Sequence, residues 1–292
     1  MNIKDKNIVV PMDFRPQAEE ALKQAVNVAK LLNHQIVLLY VHQEKGVLTS
    51  IFSKEQTELF DNAVKEKLVS IATETAKTGV DIQSILIHNN SIHSAIVEFS
   101  KNNNSELIVM GRGVKGNQAI IGANTSRVLR YSKVPVITVT SQPNSSQSLR
   151  TILLPLDLSK ETRQKVNWGI VLAKLFDGEI KVISALWDKN NENIVGQLKL
   201  QMAQVENFIK KSGVKCSTEI VEASKEAKTL VPIIMKYVEK EGDIDLILLM
   251  TQQEIGFTEF FMGSYASEVI RKSKVPVMSI IPHDTGQIYW GD

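Results

Sequence analysis

The chain has 292 residues, 43% of them hydrophobic and 23% charged, close to the globular average, which excludes wholesale disorder and a fibrous repeat. At about 150 residues per domain the length points to two domains, each long enough to bury its own core. The net charge of +2, from 34 Lys and Arg against 32 Asp and Glu, comes without a long basic run, so nucleic acid is not an expected partner.

The first half opens with a strand over about 7–12, followed by an amphipathic helix over 16–33. A second strand follows over 35–42, where the unbroken run Ile36-Val37-Leu38-Leu39-Tyr40-Val41 predicts burial on both faces. Helix 54–78 carries Leu59, Val64, Leu68 and Ile71 on the face expected to cover the sheet. Strands over 80–88, 106–110 and 135–139 then alternate with helices over 91–102 and 123–132. The second half places strands near 151–156, 179–186, 215–221, 245–250 and 276–280. Short apolar runs alternating with amphipathic helices read as βαβ units, so the fold class is α/β, with a doubly wound five-stranded parallel sheet in each half.

The halves are copies of one another. Ile8-Val9-Val10-Pro11-Met12-Asp13-Phe14 matches Ile152-Leu153-Leu154-Pro155-Leu156-Asp157-Leu158, and Ala29-Lys30-Leu31 matches Ala173-Lys174-Leu175, both at an offset of 144. Ser132-Lys133-Val134-Pro135-Val136 recurs as Ser273-Lys274-Val275-Pro276-Val277 at 141, a drift that loop insertions and deletions produce. The polar stretch Ser141-Gln142-Pro143-Asn144-Ser145-Ser146-Gln147-Ser148 is the linker between them. The expected domains are 1–140 and 149–282, with a C-terminal tail over 283–292 whose Ile288, Tyr289 and Trp290 suit docking on a domain or a neighbouring subunit.

In an open parallel sheet the ligand crevice lies beyond the carboxyl ends of the strands, where the order reverses. Asp13 and Asp157 follow strand one and either accept hydrogen bonds from a ligand or cap the next helix. Strand four of the first half leads into Gly111-Arg112-Gly113-Val114-Lys115-Gly116, then Gly122 and Asn124-Thr125-Ser126 at a helix start. Glycines let backbone amides approach a phosphate, and a helix N-terminus adds donors and partial positive charge, so this segment reads as an anion cradle. Arg112 and Lys115 either add charge to it or are solvated loop cations. The string matches G-x-G-x-x-G but follows the fourth strand rather than the first, with Arg130, Tyr131 and Ser132 where an acid is needed, which excludes an NAD fingerprint. No P-loop string is present either.

The V-P-x-D opening strand, Ala29-Lys30-Leu31-Leu32, Leu107-Ile108-Val109-Met110-Gly111 and Val128-Leu129-Arg130-Tyr131-Ser132-Lys133-Val134-Pro135-Val136 together resemble a tandem universal stress protein, over both halves nearly end to end. The resemblance implies an adenine-nucleotide-hydrolase-like sheet of order 3-2-1-4-5, two such domains packed as a pseudo-symmetric pair, and dimer-like pairing through the last strand. It also implies an adenine nucleotide, ATP with Mg²⁺, held by Pro11, Asp13, Val41, Met110, Gly111, Arg112, Gly113, Gly116, Gly122, Asn124, Thr125 and Ser126. ATP-binding members carry G-x2-G-x9-G-[S/T]. Here Gly113-x2-Gly116 fits the opening, five residues rather than nine separate Gly116 from Gly122, and Ala123 stands where a hydroxyl is expected. The second half has Thr251-Gln252-Gln253-Glu254 in place of the glycines, where Glu254 would repel a phosphate, although Gly263-Ser264 remain at the helix start. Its site is read as degenerate, structural or adapted to another ligand, with Phe257, Phe260 and Phe261 expected to pack within the chain.

No nucleophile elbow or paired carboxylate suggests catalysis, and slow ATP hydrolysis has no identifiable base. The lone cysteine, Cys216, excludes an internal disulfide and a cysteine-based zinc site, in keeping with a reducing compartment. No apolar run reaches the roughly 18 residues of a membrane span, and the N-terminus lacks the apolar stretch of a signal peptide, so a cytoplasmic protein with no membrane association is expected. The five histidines are His34, His42, His88, His93 and His283. His42 and His88 fall at the carboxyl ends of strands two and three; they are expected as exposed loop residues, with a zinc or proton-relay pair as the alternative. The expected function is binding of an adenine nucleotide by the first half, the alternative being a scaffold of the same fold that binds a protein partner or a second copy.

Overall fold

The computed structural model describes residues 3, 6–44, 53–115, 118–140, 149–156, 162–224, 229–251 and 264–281. The chain divides into two compact units, Met1–Ser141 and Gln142–Asp292. The linker at 141–148 and the tail at 283–292 lie outside the described residues.

The first unit runs β1 (Asn7–Pro11), α1 (Pro16–Leu32), β2 (Gln35–Gln43), α2 (Lys54–Ala76), β3 (Ile82–Asn89), α3 (Ile92–Asn102), β4 (Ser105–Gly111), β5 (Gly113–Lys115), β6 (Gln118–Ile120), α4 (Ala123–Tyr131) and β7 (Val136–Val139). Its main sheet has the order β3-β2-β1-β4-β7, which is 3-2-1-4-5 once the small β5–β6 hairpin is set aside, and all its pairings are parallel. Ile8 sits opposite Ile36 on one side and Leu107 on the other. Ile36 to Leu39 are fully buried, as a strand covered on both faces requires.

Helix α1 starts with Pro16, whose missing N–H costs nothing in the first turn, and ends at Asn33 in the left-handed conformation. Its buried stripe includes Ala18, Ala21, Leu22, Ala25 and Ala29, mostly alanine, which lets the helix axis come close to the sheet. Helix α2 begins with a capping box: Ser53 Oγ accepts from the Gln56 amide, and Gln56 Oε1 accepts from the Ser53 amide. Its buried face is Asp61, Val64, Leu68 and Ala72, and Leu59 is exposed, so the apolar stripe sits slightly differently from the sequence expectation.

The second unit runs β8 (Thr151–Leu156), α5 (Thr162–Leu175), β9 (Glu179–Leu186), α6 (Glu192–Lys211), β10 (Lys215–Glu222), α7 (Val231–Glu241), β11 (Leu246–Met250), α8 (Ser264–Lys272) and β12 (Val277–Ile280). Within the unit the order β10-β9-β8-β11-β12 repeats that of the first, again with parallel pairs. Each unit satisfies buried polar groups near the start of its first strand. In the first, Ser105 Oγ donates to Asn7 Oδ1 at 2.7 Å; in the second, Asp245 Oδ2 accepts from the Arg150 and Thr151 amides.

Candidate functional site

In the first unit β1 lies between β2 and β4, so the crevice expected of this topology opens beyond the carboxyl ends of β1 and β4. Pro11 ends β1, and the next amide, of Met12, donates to Leu39 O at 2.8 Å. Asp13 is exposed, and its Oδ1 accepts from the Arg15 amide at 3.1 Å. It therefore shapes the turn into α1 rather than capping the helix, whose N-cap is Arg15 without a side-chain cap. Phe14 takes a left-handed φ of 61° in that turn and stacks on Tyr40 at 5.4 Å between ring centroids, with Lys67 Nζ 4.6 Å from its ring. Val41, near the end of β2, is half-buried.

At the end of β4, Met110 is buried and Gly111 meets α1 so closely that an added Cβ would lie 2.2 Å from Gln17 O. Arg112 departs from the expectation of a solvated loop cation: its side chain is 0% exposed, its amide donates to Val139 O at 2.8 Å, and burial pushes its guanidinium down to about 10. The glycine-rich segment is also not an open loop, because Gly113–Lys115 pairs antiparallel with Gln118–Ile120. The two residues between these strands, Gly116-Asn117, are a hairpin-turn signal in the sequence, and Gly116 itself lies outside the described residues. Gly113 faces Ile120 across the hairpin, where an added Cβ would come within 3.2 Å of Ile120 Cγ1. Gly122 is the N-cap of α4 and offers no side-chain acceptor to the first turn. Thr125 is buried, its Oγ1 donating to Gly111 O at 3.4 Å, while Asn124 and Ser126 are half-buried beside it. The fold thus brings Gly111, Gly122 and Thr125 together.

A second group was only partly visible in the sequence. His42 and His88 are register partners on β2 and β3, and Asp61 of α2 lies against both. His42 Nδ1 is 2.6 Å from Asp61 Oδ1, and His88 Nε2 is 2.8 Å from Asp61 Oδ2. The two rings stack at 4.8 Å, and Phe60 packs edge-on to His42 at 5.2 Å. Glu44 Oε1 is 3.8 Å from His88 Nδ1. The side chains of His42 and Asp61 are each 12% exposed and that of His88 38%, so His42 is not the exposed loop histidine expected. The overlooked signal was Asp61 itself, a carboxylate three residues before Val64 on the buried stripe of α2. Tyr40 senses both groups: burial, then the charges of Asp61 and Asp13, push its hydroxyl above the ordinary range.

A sequence profile of the Universal stress protein family matches residues 5–140 and again residues 148–280. The chain belongs to the universal stress protein family. It is 23% identical to Universal stress protein Slr1230 of Synechocystis over 94% of this chain and 99% of that protein. It is 28% identical to Universal stress protein MJ0577 of Methanocaldococcus jannaschii over 48% of this chain and 97% of that one. Its fold is similar to that of a universal stress protein from Archaeoglobus fulgidus, with a TM-score of 0.74 at 19% identity over 95% and 97% of the two chains. No helix among the described residues is long and apolar enough to cross a membrane.

In the second universal stress protein domain, Asp157, Glu254, Gly263 and the three phenylalanines Phe257, Phe260 and Phe261 lie outside the described residues. A cavity of about 460 Å³ opens at the carboxyl ends of β8 and β9, walled by Leu156, Ala185, Trp187, Leu198 and Tyr265. Lys165 of α5 reaches into its lining, and its buried Nζ donates to Pro155 O at 2.9 Å. At the 144-residue offset of the repeat, Lys165 stands where the first domain has the buried Ala21. A lysine here stands in place of one of the alanines on the buried stripe of α1.

Proposed function

We propose that the chain is a cytoplasmic stress-response protein that acts by binding, with an adenine-nucleotide site in its first domain and a degenerate counterpart in its second. The observation that carries this reading is the junction of β4 and α4, where the Thr125 hydroxyl ties the start of α4 to Gly111 O. Gly122 leaves the first-turn amides of α4 without a side-chain acceptor, and such amides with the helix dipole attract a phosphate. Pro11, Asp13 and Val41 at the ends of β1 and β2 would face the nucleoside, with the Asp13 carboxylate accepting from it. Mg²⁺ would enter with the triphosphate of ATP. The buried Arg112 supports positioning of the β4 end rather than direct attraction of the phosphate.

Isothermal titration of the full chain with ATP and Mg²⁺ tests this, and the expected result is one micromolar-range site. Gly122→Asp places a carboxylate where the phosphate would sit, at a position where an added Cβ meets nothing closer than Thr125 Oγ1 at 3.9 Å. It should weaken binding at least tenfold with the fold intact, since Asp is a favoured N-cap. No binding by the wild type up to millimolar ATP, or unchanged affinity in the variant, would overturn the proposal. The β5–β6 hairpin and Ala123 favour the second reading, a scaffold of the same fold that pairs with a protein or with a second copy. Concentration-dependent self-association without nucleotide binding would support it.

A further inference from the structure

The carboxyl ends of β2 and β3 hold chemistry that nucleotide binding does not use. We propose that His42, Asp61 and His88 form a binding site for a divalent transition-metal ion of the zinc class. One ligand atom from each residue can be chosen so that all three lie within 4.8 Å of one another. Two imidazoles and one carboxylate suit Zn²⁺ and its neighbours in the first transition row, whereas Mg²⁺ and Ca²⁺ take oxygen ligands.

The geometry needs only side-chain adjustment. Tetrahedral zinc with nitrogen and oxygen ligands at about 2.0–2.1 Å keeps those atoms roughly 3.3 Å apart. Asp61 now lies 2.6 and 2.8 Å from the two ring nitrogens, while the separations among the three ligand atoms run up to 4.8 Å. The ion enters when the carboxylate gives up its two imidazole hydrogen bonds, withdraws by about half an ångström, and the widest gap closes by up to about 1.5 Å through side-chain rotation. Each ring proton now shared with Asp61 moves to the ring's other nitrogen or to solvent. For His88 that other nitrogen is Nδ1, which Glu44 faces at 3.8 Å, so a side-chain shift of about 1 Å would let this carboxylate accept the ring proton and orient a metal-bound imidazole.

The supports are rigid. Both histidines sit in register on paired strands, Phe60 packs against His42, and Asp61 belongs to the buried stripe of α2. His42 and Asp61 are largely shielded from water, whereas His88, at 38% exposure, opens the group to solvent. Three protein ligands with one accessible side describe a site that keeps a coordination position for water or a further ligand. Bound there, the ion would clamp α2 to β2 and β3.

The test uses the full chain stripped with a chelator and without nucleotide, so its outcome is independent of ATP binding. After dialysis against equimolar Zn²⁺ or Co²⁺, the wild type should retain one equivalent, give the visible absorption of low-coordinate Co²⁺, and melt at a higher temperature with Zn²⁺. A tenfold excess of Mg²⁺ or Ca²⁺ should not displace the ion. His42→Ala and Asp61→Asn should each weaken Zn²⁺ binding at least tenfold, and His93→Ala should leave it unchanged. Asp61 is buried, so the more exposed His88→Gln serves as the variant expected to keep its circular dichroism while losing the metal. Glu44→Gln should lower the affinity without removing the equivalent. Failure of the wild type to retain Zn²⁺ or Co²⁺, or equal retention by His42→Ala and folded His88→Gln, would overturn the proposal.

Discussion

Gly111→Ala tests whether the glycine that ends β4 is required by packing rather than by a ligand. No left-handed φ applies at this residue, so torsional strain does not enter. An added methyl would instead lie 2.2 Å from the carbonyl oxygen of Gln17, 2.4 Å from its carbonyl carbon and 2.7 Å from its Cβ. Ordinary contact begins at 3.4 Å, so α1 and the end of β4 would have to separate by more than an ångström. The two nearest of these three atoms are backbone, which yields less readily than a side chain, so the cost belongs at the upper end of overpacking, about 3 kcal/mol. With a urea m-value of roughly 1–3 kcal/mol/M, the first unit's unfolding midpoint should fall by about 1 M or more. Trp168, Trp187 and Trp290 all lie in the second unit, so tryptophan fluorescence follows that unit while far-ultraviolet circular dichroism follows both. Gly122→Ala is the control: its added Cβ meets only Thr125 Oγ1, at 3.9 Å, and should cost under about 1 kcal/mol. Equal midpoints for Gly111→Ala and the wild type, or equal losses in the two variants, would refute the packing account.

Lys181 donates to Glu241 and Asp243, each at 2.8 Å. Burial alone would lower its pKa, but these hydrogen bonds and charges raise it, while the bond from Lys181 holds the Glu241 carboxyl below its ordinary 4.5. Because the folded Glu241 value is the lower one, the stabilisation is full above about pH 4.5 and is lost as pH falls through that folded value. Lys181→Met should therefore cost about 1–3 kcal/mol in urea unfolding at pH 7 and distinctly less near pH 3; equal losses would contradict the pairing. Burial, with a smaller contribution from Glu206, pushes the Cys216 thiol up to about 11 from an ordinary 9.0, leaving about one-hundredth of the thiolate at pH 8. Its reaction with a disulfide reagent should be at least tenfold slower in the folded chain than in urea, and equal rates would count against the burial.

Local pattern carried most of the architecture. The run Ile36 to Leu39 announced a strand covered on both faces, the amphipathic pattern placed α1 over 16–33, and the repeated P-x-D and S-K-V-P-V segments marked corresponding stretches of the two halves. These signals are short-range, set by the two-residue period of strands and the 3.6-residue period of helices. The glycine spacing reads as an anion cradle, and the pairing of Gly113–Lys115 with Gln118–Ile120 was not expected from it, although Gly116-Asn117 between two short segments is also a turn signal. Arg112 misled because charge alone suggests solvent, and its burial depends on elements that close around the end of β4.

The sequence by itself determined two similar α/β domains, the course of their strands and the places where the ends of β1 and β4 would offer a crevice. Only the tertiary structure decided which side chains share that end of the sheet. Asp61 meets His42 and His88 because α2 docks its buried stripe over β2 and β3, although 19 and 27 residues separate it from them. Helix periodicity states which residues share a face, but the partner of that face is set by how the helix packs on the sheet, and one sequence carries no direct record of that contact.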